Sequence, residues 1–256
     1  MKIIVNADDY GFDRNRTEAI RECFRRGLLS TTTAMVNMPY CATAIEQAKA
    51  DGIFDRIGLH LNLTFGSPMT DAIRRCQNFC GHDGRFNGVF HRSMWCRLHL
   101  TSQEKNAVRV EVCAQMERYR GLGLPLMHLD SHHHSHTDPS IARIVLPLAR
   151  EMGFKSVRIS RNLPHNMGLG KRIYKGYINR MIDRFGFSST EYFANVSTAQ
   201  LELPTLSDAQ SLEIMVHPLY LKNAQMDLNR EWDDVDGVLC DTRVPVDKIA
   251  WVSQWL

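Results

Sequence analysis

The sequence lacks any long hydrophobic run and any strong excess of one charge. Among its 256 residues, no stretch approaches the ~18 consecutive apolar residues that a membrane-spanning helix needs. Basic side chains number 31 and acidic side chains 28, which gives a formal net charge of +3. A nucleic-acid-binding domain usually carries a clustered excess of Lys and Arg. Membrane spanning and nucleic-acid binding are therefore disfavoured.

Several catalytic fingerprints are also missing. The sequence contains neither the Gly-rich turn of dinucleotide-binding domains nor the Gly-Lys loop of NTPases. It has no Gly-x-Ser-x-Gly turn of the kind that carries a serine nucleophile. Nicotinamide enzymes, NTPases and serine hydrolases of these types are therefore disfavoured.

Cysteine usage and the N-terminal sequence predict the compartment. The chain reaches Asp8 and Asp9 too soon for the apolar region of a signal peptide. Its seven cysteines are an odd number, and only Cys76 and Cys80 lie close together. Because no second pair stands at zinc-finger spacing, we interpret them as free thiols. Both features predict a cytoplasmic protein.

Short apolar runs alternate with helical patterns, which indicates repeated strand–helix units and a mostly parallel sheet. Strands are predicted over residues 3–6, 31–37, 57–63, 126–130, 156–159 and 212–217, with a closing apolar run near 249–252. Helices are predicted over residues 17–26, 42–50, 101–121, 138–152 and 171–185. The pattern disappears over residues 64–100, which we interpret as a loop insertion. No repeat or linker is found, so we predict one domain over residues 1–256.

Acidic and histidine side chains occur at the ends of four predicted strands. In chain order they are Asp8 and Asp9, His60, Asp130 and His132, and His217. Taken singly, each has an ordinary alternative, since paired acids cap helices and a histidine in an apolar strand is often a core residue. In parallel α/β architectures, however, ligands and catalytic groups gather at the carboxyl ends of the strands. We therefore expect these residues to converge on one rim of the sheet.

A histidine cluster gives a stronger signal. Five of the 11 histidines lie between His128 and His136, and neutral imidazole is a common metal ligand. In an extended segment His132, His134 and His136 would share one side and His133 would oppose them. They cannot all bind one ion, so some would contact substrate or orient the ligands. A solvated polar loop is the alternative.

Two histidines and one carboxylate with an open coordination position form a common catalytic metal site. A metal in such a site lowers the pKa of a water molecule and polarises a carbonyl or phosphoryl oxygen. The residues alone therefore indicate metal-assisted hydrolysis.

Five segments resemble the YdjC-like carbohydrate deacetylases. They are VNADDYG (5–11), residues 31–37, GLHLNLT (58–64), residues 128–136 and MVHP (215–218). The resemblance runs in order along nearly the whole chain and is loose over residues 68–100 and 161–211. It implies a (β/α) barrel of the deacetylase and glycoside-hydrolase kind, irregular or with seven strands. It also implies a divalent metal and removal of acetyl groups from N-acetylglucosamine units.

The resemblance also implies roles for individual residues. The implied metal ligands are Asp9, His60 and His132. The implied catalytic residues are Asp8 as general base and His217 as general acid, with the division of roles between Asp8 and Asp9 left open. The candidates for substrate contacts are Asp130, His134 and His136, of which His136 is also the reserve metal ligand.

The metal and the substrate are predicted less sharply. The resemblance suggests Mg²⁺, whereas two imidazoles and a carboxylate suit Zn²⁺ or Co²⁺. The expected partner is an N-acetylated saccharide, and relatives suggest a homodimer. Tyr10 stands where many relatives carry Phe, and the divergent segment with Cys76, Cys80 and Trp95 is where saccharide length or class would be recognised.

Two other functions use similar residues. A metal-dependent phosphoesterase also employs clustered His and Asp side chains, but Arg158 is the only nearby candidate for a phosphate clamp. A non-catalytic saccharide-binding relative is the third hypothesis. The presence of Asp8, Asp9 and His217 argues against it.

Overall fold

The computed structural model describes residues 2–208 and 210–219. Seven parallel strands form one sheet in the order β5-β4-β3-β2-β1-β7-β6. The strands are β1 (Lys2–Tyr10), β2 (Thr31–Ala34), β3 (Ile57–Leu61), β4 (His128–Ser131), β5 (Ser156–Val157), β6 (Tyr192–Asn195) and β7 (Ser211–Val216). The predicted irregular (β/α) barrel-like fold is confirmed.

Helices follow most strands of this sheet. Those in the described part of the chain are α1 (Arg14–Arg25), α2 (Cys41–Ala50), α3 (Asp71–Arg74), α4 (Val89–Arg92), α5 (Met94–Leu98), α6 (Ser102–Gly121), α7 (Pro139–Glu151), α8 (Leu169–Arg184) and α9 (Val196–Glu202). Short 3₁₀ segments cover Phe54–Arg56, His132–Thr137 and Leu203–Thr205. None of the described helices is both long and apolar enough to cross a bilayer.

Burial on both faces explains why several strands do not alternate between apolar and charged residues. Every residue of β2, β3 and β7 is buried, as expected for strands of a parallel sheet covered on both faces. The core includes Ile3, Leu59 and Ile214 from the strands, together with Ile20 and Val145 from the helices. The sheet is thus a rigid support for the loops at its carboxyl edge.

The two ends of the sheet approach each other. Val157 N–H at the end of β5 donates to the carbonyl oxygen of Ser188, shortly before β6, at 3.2 Å. Ser188 N–H in turn donates to the carbonyl oxygen of Lys155 at 2.9 Å. The sheet therefore curls until its edges are bridged, and the carboxyl ends of its parallel strands lie on one side.

Side chains mark the starts of two predicted helices. Thr101 accepts a hydrogen bond from Glu104 N–H while the Glu104 side chain accepts one from Thr101 N–H, which is a capping box at the start of α6. Asp138 is at the N-cap position of α7 before Pro139. Its carboxylate makes no capping bond, however, because it is held by Arg97 at 2.6 Å.

Other predictions need correction. The second strand ends at Ala34 rather than at residue 37, and neither β6 nor α9 was predicted. Residues 64–100 contain three short helices and a buried stack of Phe79 on Phe90, 4.9 Å between ring centroids. Six cysteines, Cys76 and Cys80 among them, are free thiols as expected. Cys240 and the apolar run at 249–252 lie outside the described residues.

Candidate active site

A cleft of about 620 Å³ opens at the carboxyl edge of the sheet. It is lined by Asp8, Asp9, Phe12, Arg16, His60, Phe65, His91, His132, His133, His134, Arg161, Asn195, Ser197, Met215 and His217. Six of the eight residues predicted for the site are in this lining. Polar and aromatic side chains from at least five strand ends thus face a common space.

The end of β1 brings two adjacent carboxylates to the same cleft. Successive side chains of a regular strand point to opposite faces, so Asp8 and Asp9 need a local irregularity. The pairing of β1 with β2 shifts register between Ala7 and Tyr10, and Asp9 has a left-handed φ of 69°. Asp is one of the few residues that tolerates this conformation. The irregularity of the backbone turns both carboxylates toward the opening.

The three predicted metal ligands converge. Asp9 Oδ1 lies 3.2 Å from His60 Nε2 and 2.8 Å from His132 Nδ1. The donor atoms of these three residues all lie within 4.8 Å of one another. A divalent cation with bonds of ~2.1 Å to nitrogen and oxygen requires donor atoms at such spacings. Asp9, His60 and His132 therefore have the chemistry and the spacing to hold one.

Buried polar groups behind His60 fix its ring. His60 Nδ1 is 2.7 Å from Asp130 Oδ1, and Thr33 donates to Asp130 Oδ2 at 3.0 Å. This arrangement points His60 Nε2 toward Asp9, and carboxylate–histidine pairs commonly orient metal ligands in this way. Burial favours the neutral imidazole, but Asp130 and Asp9 outweigh it and raise the pKa of His60 to about 10. A cation binding there would have to displace a proton.

Arg158 connects the carboxylates that lie beneath the cleft. The guanidinium is fully buried and bonds both oxygens of Asp8 at 2.7 Å. It also lies 2.8 Å from Asp130 Oδ2 and 2.6 Å from Glu213 Oε1. Among the described residues, two other His and acid groups meet metal-ligand spacing, one with Asp8 and Asp130 and one with Asp130 and Glu213. Because Arg158 already neutralises these carboxylates, the group with Asp9 is the stronger candidate.

Arg158 also sets the ionisation of its partners. Burial opposes the charged form of Asp8, but the adjacent guanidinium outweighs it and holds the pKa of Asp8 well below its usual range. Asp130 is likewise ionised, with its pKa lowered by Arg158 and His60 against burial. For Glu213 burial prevails over Arg158 and raises the pKa to about 7. Asp8 is therefore a carboxylate across the physiological pH range.

His217 follows β7 and lines the same cleft as His132, His133 and His134. Its Nε2 atom is 4.0 Å from Asp8 Oδ2, and about a quarter of its side chain is exposed. Asp8 thus lies between the buried Arg158 and the exposed His217. A proton-bearing imidazole at this position can reach a group bound in the cleft.

The histidine run is not extended, contrary to expectation. His132–Thr137 forms a 3₁₀ segment in which His133 and His134 have left-handed φ angles of 53° and 55°. The His133 ring packs between those of His132 and His91, with centroid distances of 4.1 and 4.6 Å. The predicted sharing of one side by alternate histidines is therefore wrong, because the chain turns directly after β4.

The three candidates for substrate contact take different places. His134 lines the cleft, and its buried Nδ1 atom has no hydrogen-bond partner. Asp130 is fully buried beneath His60 and is absent from the lining. His136 is also buried, with Nδ1 2.6 Å from Ser131 Oγ and Nε2 2.9 Å from the carbonyl oxygen of Arg158. The structure therefore brings only His134 of the three into the cleft, and gives His136 no free nitrogen for a metal.

Sequence reasoning missed several residues at this site, and it considered Arg158 only as a phosphate clamp and not as a partner of buried carboxylates. Glu213 and Arg158 each carry a charge inside a short, otherwise buried segment, and such opposite charges are a usable signal of pairing. Thr33 sits in β2 within a run of threonines that gives no such signal. Phe12 and Phe65 come from loops of ordinary composition, and nothing in the sequence places them together.

Comparisons with known proteins agree with this geometry. A family model described as "YdjC-like protein" matches residues 2–244. The chain is 34% identical over 227 residues to the chitooligosaccharide deacetylase of Proteus mirabilis (strain HI4320), covering 86% of this chain and 82% of that protein. It is also 34% identical over 226 residues to the carbohydrate deacetylase of Brevibacillus brevis (strain 47), covering 88% and 84%.

Among solved structures, the chain resembles a crystal structure from Enterococcus faecalis V583 with a TM-score of 0.66. That protein is provisionally named a cellobiose-phosphate cleavage protein. The match covers 97% of this chain and 90% of the other, at 21% sequence identity. At this identity the likeness supports the shared fold alone.

Proposed function

Because this chain belongs to the YdjC-like protein family, we propose that it is a metal-dependent carbohydrate deacetylase that hydrolyses N-acetyl groups of amino sugars or oligosaccharides. The observation that carries the proposal is the convergence of Asp9, His60 and His132 in one cleft beside Asp8 and His217. Two relatives that share most of their length with this chain are named as deacetylases of this kind.

We assign the cation to Asp9, His60 and His132. When bound, a divalent cation would polarise the amide carbonyl and acidify a neighbouring water molecule. Asp130 keeps the Nε2 atom of His60 directed at the cation through its bond to Nδ1. Mg²⁺ is the ion that the family suggests, and the two imidazoles suit Zn²⁺ or Co²⁺.

We assign the proton transfers to Asp8 and His217. Asp8 is ionised and fixed by Arg158, and each carboxylate oxygen has a second lone pair with which to accept a proton from the attacking water. A general base of this kind contributes ~10²–10⁴-fold to the rate. His217 then donates a proton to the amine nitrogen as the carbon–nitrogen bond breaks. The products are acetate and the free sugar amine.

Arg158 does not support the phosphoesterase alternative. Its guanidinium is fully buried and bonded to three carboxylates, so this arginine cannot clamp a phosphate in the cleft. The cytoplasmic location, the homodimer and the single domain over residues 1–256 stay predictions from the sequence.

The proposal is tested by acetate release from N,N′-diacetylchitobiose with Mg²⁺, Zn²⁺ or Co²⁺. We expect release by the wild-type chain and its loss in His132→Ala, together with loss of cation binding in calorimetry. His165→Ala is a matched control, because His165 is an exposed histidine bonded to Glu202 away from the cleft. Cation binding without acetate release from any acetylated sugar in a broad panel would refute the activity.

A further inference from the structure

Two stacked phenylalanines line the cleft, and one of them, Phe65, presents an exposed aromatic surface. The rings of Phe12 and Phe65 stack with their centroids 4.7 Å apart and their planes 27° apart. Phe65 keeps 41% of its surface exposed, although large apolar side chains normally bury most of theirs. The guanidinium of Arg16 covers Phe12, 4.1 Å from its centroid. We call this stacked pair the Phe platform.

The backbone of Phe65 is held from both sides. The buried side chain of Asn62 accepts a hydrogen bond from Phe65 N–H at 3.1 Å and donates one to the Phe65 carbonyl oxygen at 2.7 Å. Gly66 follows with a left-handed φ of 73°, which most other residues would adopt only with strain. The exposed ring is therefore pre-positioned, and a ligand that binds it avoids much of the entropic cost of ordering it.

The Phe platform borders the candidate metal ligands. The Phe12 and Phe65 centroids lie 6.1 and 6.3 Å from the centroid of the His132 ring. A group lying on the platform therefore has its edge next to the cation-binding atoms. Elsewhere in the same cleft, Asn195 and Ser197 contribute polar side chains.

A pyranose ring has the chemistry that this surface requires. One face of the ring presents C–H bonds, which pack favourably against the negative face of an aromatic ring. Its edge carries hydroxyl groups, which need hydrogen-bond partners when they leave water. The cleft supplies an apolar face and polar partners together, whereas a flat protein or membrane surface could not enter it.

We propose that the Phe platform binds the apolar face of the sugar ring that carries the acetamide group. This inference rests on the proposed function, and it identifies the residues that hold the sugar ring while the acetamide is hydrolysed. A sugar ring on the platform lies beside His132, one of the three residues assigned to the cation. Phe65 is then a substrate-binding residue that selects a pyranose amide over an acyclic one.

Kinetics of Phe65 variants test the proposal. In Phe65→Ala we expect kcat/KM for N,N′-diacetylchitobiose to fall roughly 5- to 150-fold, the range produced when an aromatic stacking partner is removed. The loss should appear mainly in KM, because the stack is made in both the ground and transition states. Phe65→Tyr should retain activity, whereas Phe65→Leu should lose most of it because it lacks the flat face.

Matched controls separate the platform from the activity itself. Tyr177 is 46% exposed and is absent from the cleft lining, so Tyr177→Ala should behave like wild type. If wild type is active and kcat/KM of Phe65→Ala lies within twofold of the wild-type value, the platform is overturned but the deacetylase activity is not. Calorimetric binding of the disaccharide in EDTA gives a second readout that needs no turnover. Equal binding by wild type and Phe65→Ala, or no binding by either, would overturn the platform even if no acetate were released.

Discussion

Replacement of Arg158 by Met is expected to destabilise the protein in a pH-dependent way. The guanidinium is fully buried and forms short ion pairs with Asp8, Asp130 and Glu213. Methionine has a similar length but no charge, so the variant leaves three buried carboxylates without their cation. Breaking a buried ion pair by removing one partner costs about 3–5 kcal/mol. We expect a loss of that size in the free energy of unfolding near neutral pH.

The pH dependence follows from the ionisation of the partners. In the wild type, the lowered pKa values of Asp8 and Asp130 provide stability that is present above their unfolded pKa and is lost as the pH falls through the folded pKa. Without Arg158, burial raises these pKa values and the carboxylates take up protons instead. The difference between Arg158→Met and wild type should therefore be largest near pH 8 and should shrink toward pH 5.

Urea unfolding at both pH values, in EDTA, measures this difference. Arg143→Met is the control, because Arg143 is exposed on α7 and bonds only weakly to Tyr177 at 3.3 Å. Such surface substitutions usually change stability by no more than about 0.5 kcal/mol. A destabilisation by Arg158→Met of less than about 1 kcal/mol, or one of equal size at both pH values, would refute the idea that Arg158 neutralises buried carboxylates.

Two further predictions concern His217 and Asp138. His217→Asn should lower kcat for acetate release by ~10²–10⁴-fold while calorimetry shows unchanged cation binding, and a loss of cation binding would contradict its assignment as proton donor. Burial raises the pKa of Asp138 from 3.8 to about 6 despite its bond to Arg97, so its stabilising contribution is present at low pH and is lost as the pH rises through that range. At about 1.4 kcal/mol per pKa unit, the free energy of unfolding of wild type should fall by up to roughly 3 kcal/mol as the pH rises through this range, and that of Asp138→Asn should not. If urea unfolding shows the same change with pH for both proteins, the prediction is wrong.

The sequence predicted the fold class and most of the rim residues. Alternation of apolar runs with helical patterns is enough to indicate a parallel sheet, and the carboxyl ends of parallel strands share one edge. Asp9, His60 and His132 could therefore be grouped without coordinates. The resemblance added the family, which the comparisons confirm.

Weak local signals explain the elements that were missed. β6 has only four residues and α9 only seven, so each offers only about two repeats of the apolar pattern from which to predict it. The predicted second strand runs to residue 37 because its apolar residues continue past Ala34. Met35 and Val36 are buried, but the chain turns directly after Met35.

The sequence by itself determined which side chains reach the carboxyl edge of the sheet, because strand direction and periodicity are local properties. Only the tertiary structure decided how those side chains pair. Arg158 meets Asp8 from 150 positions away, and Phe12 stacks on Phe65 across two loops. The left-handed turn at His133 and His134 removes His136 from the cleft. Such contacts depend on strand register, loop conformation and the burial of charge, which are fixed only when the whole sheet has curled.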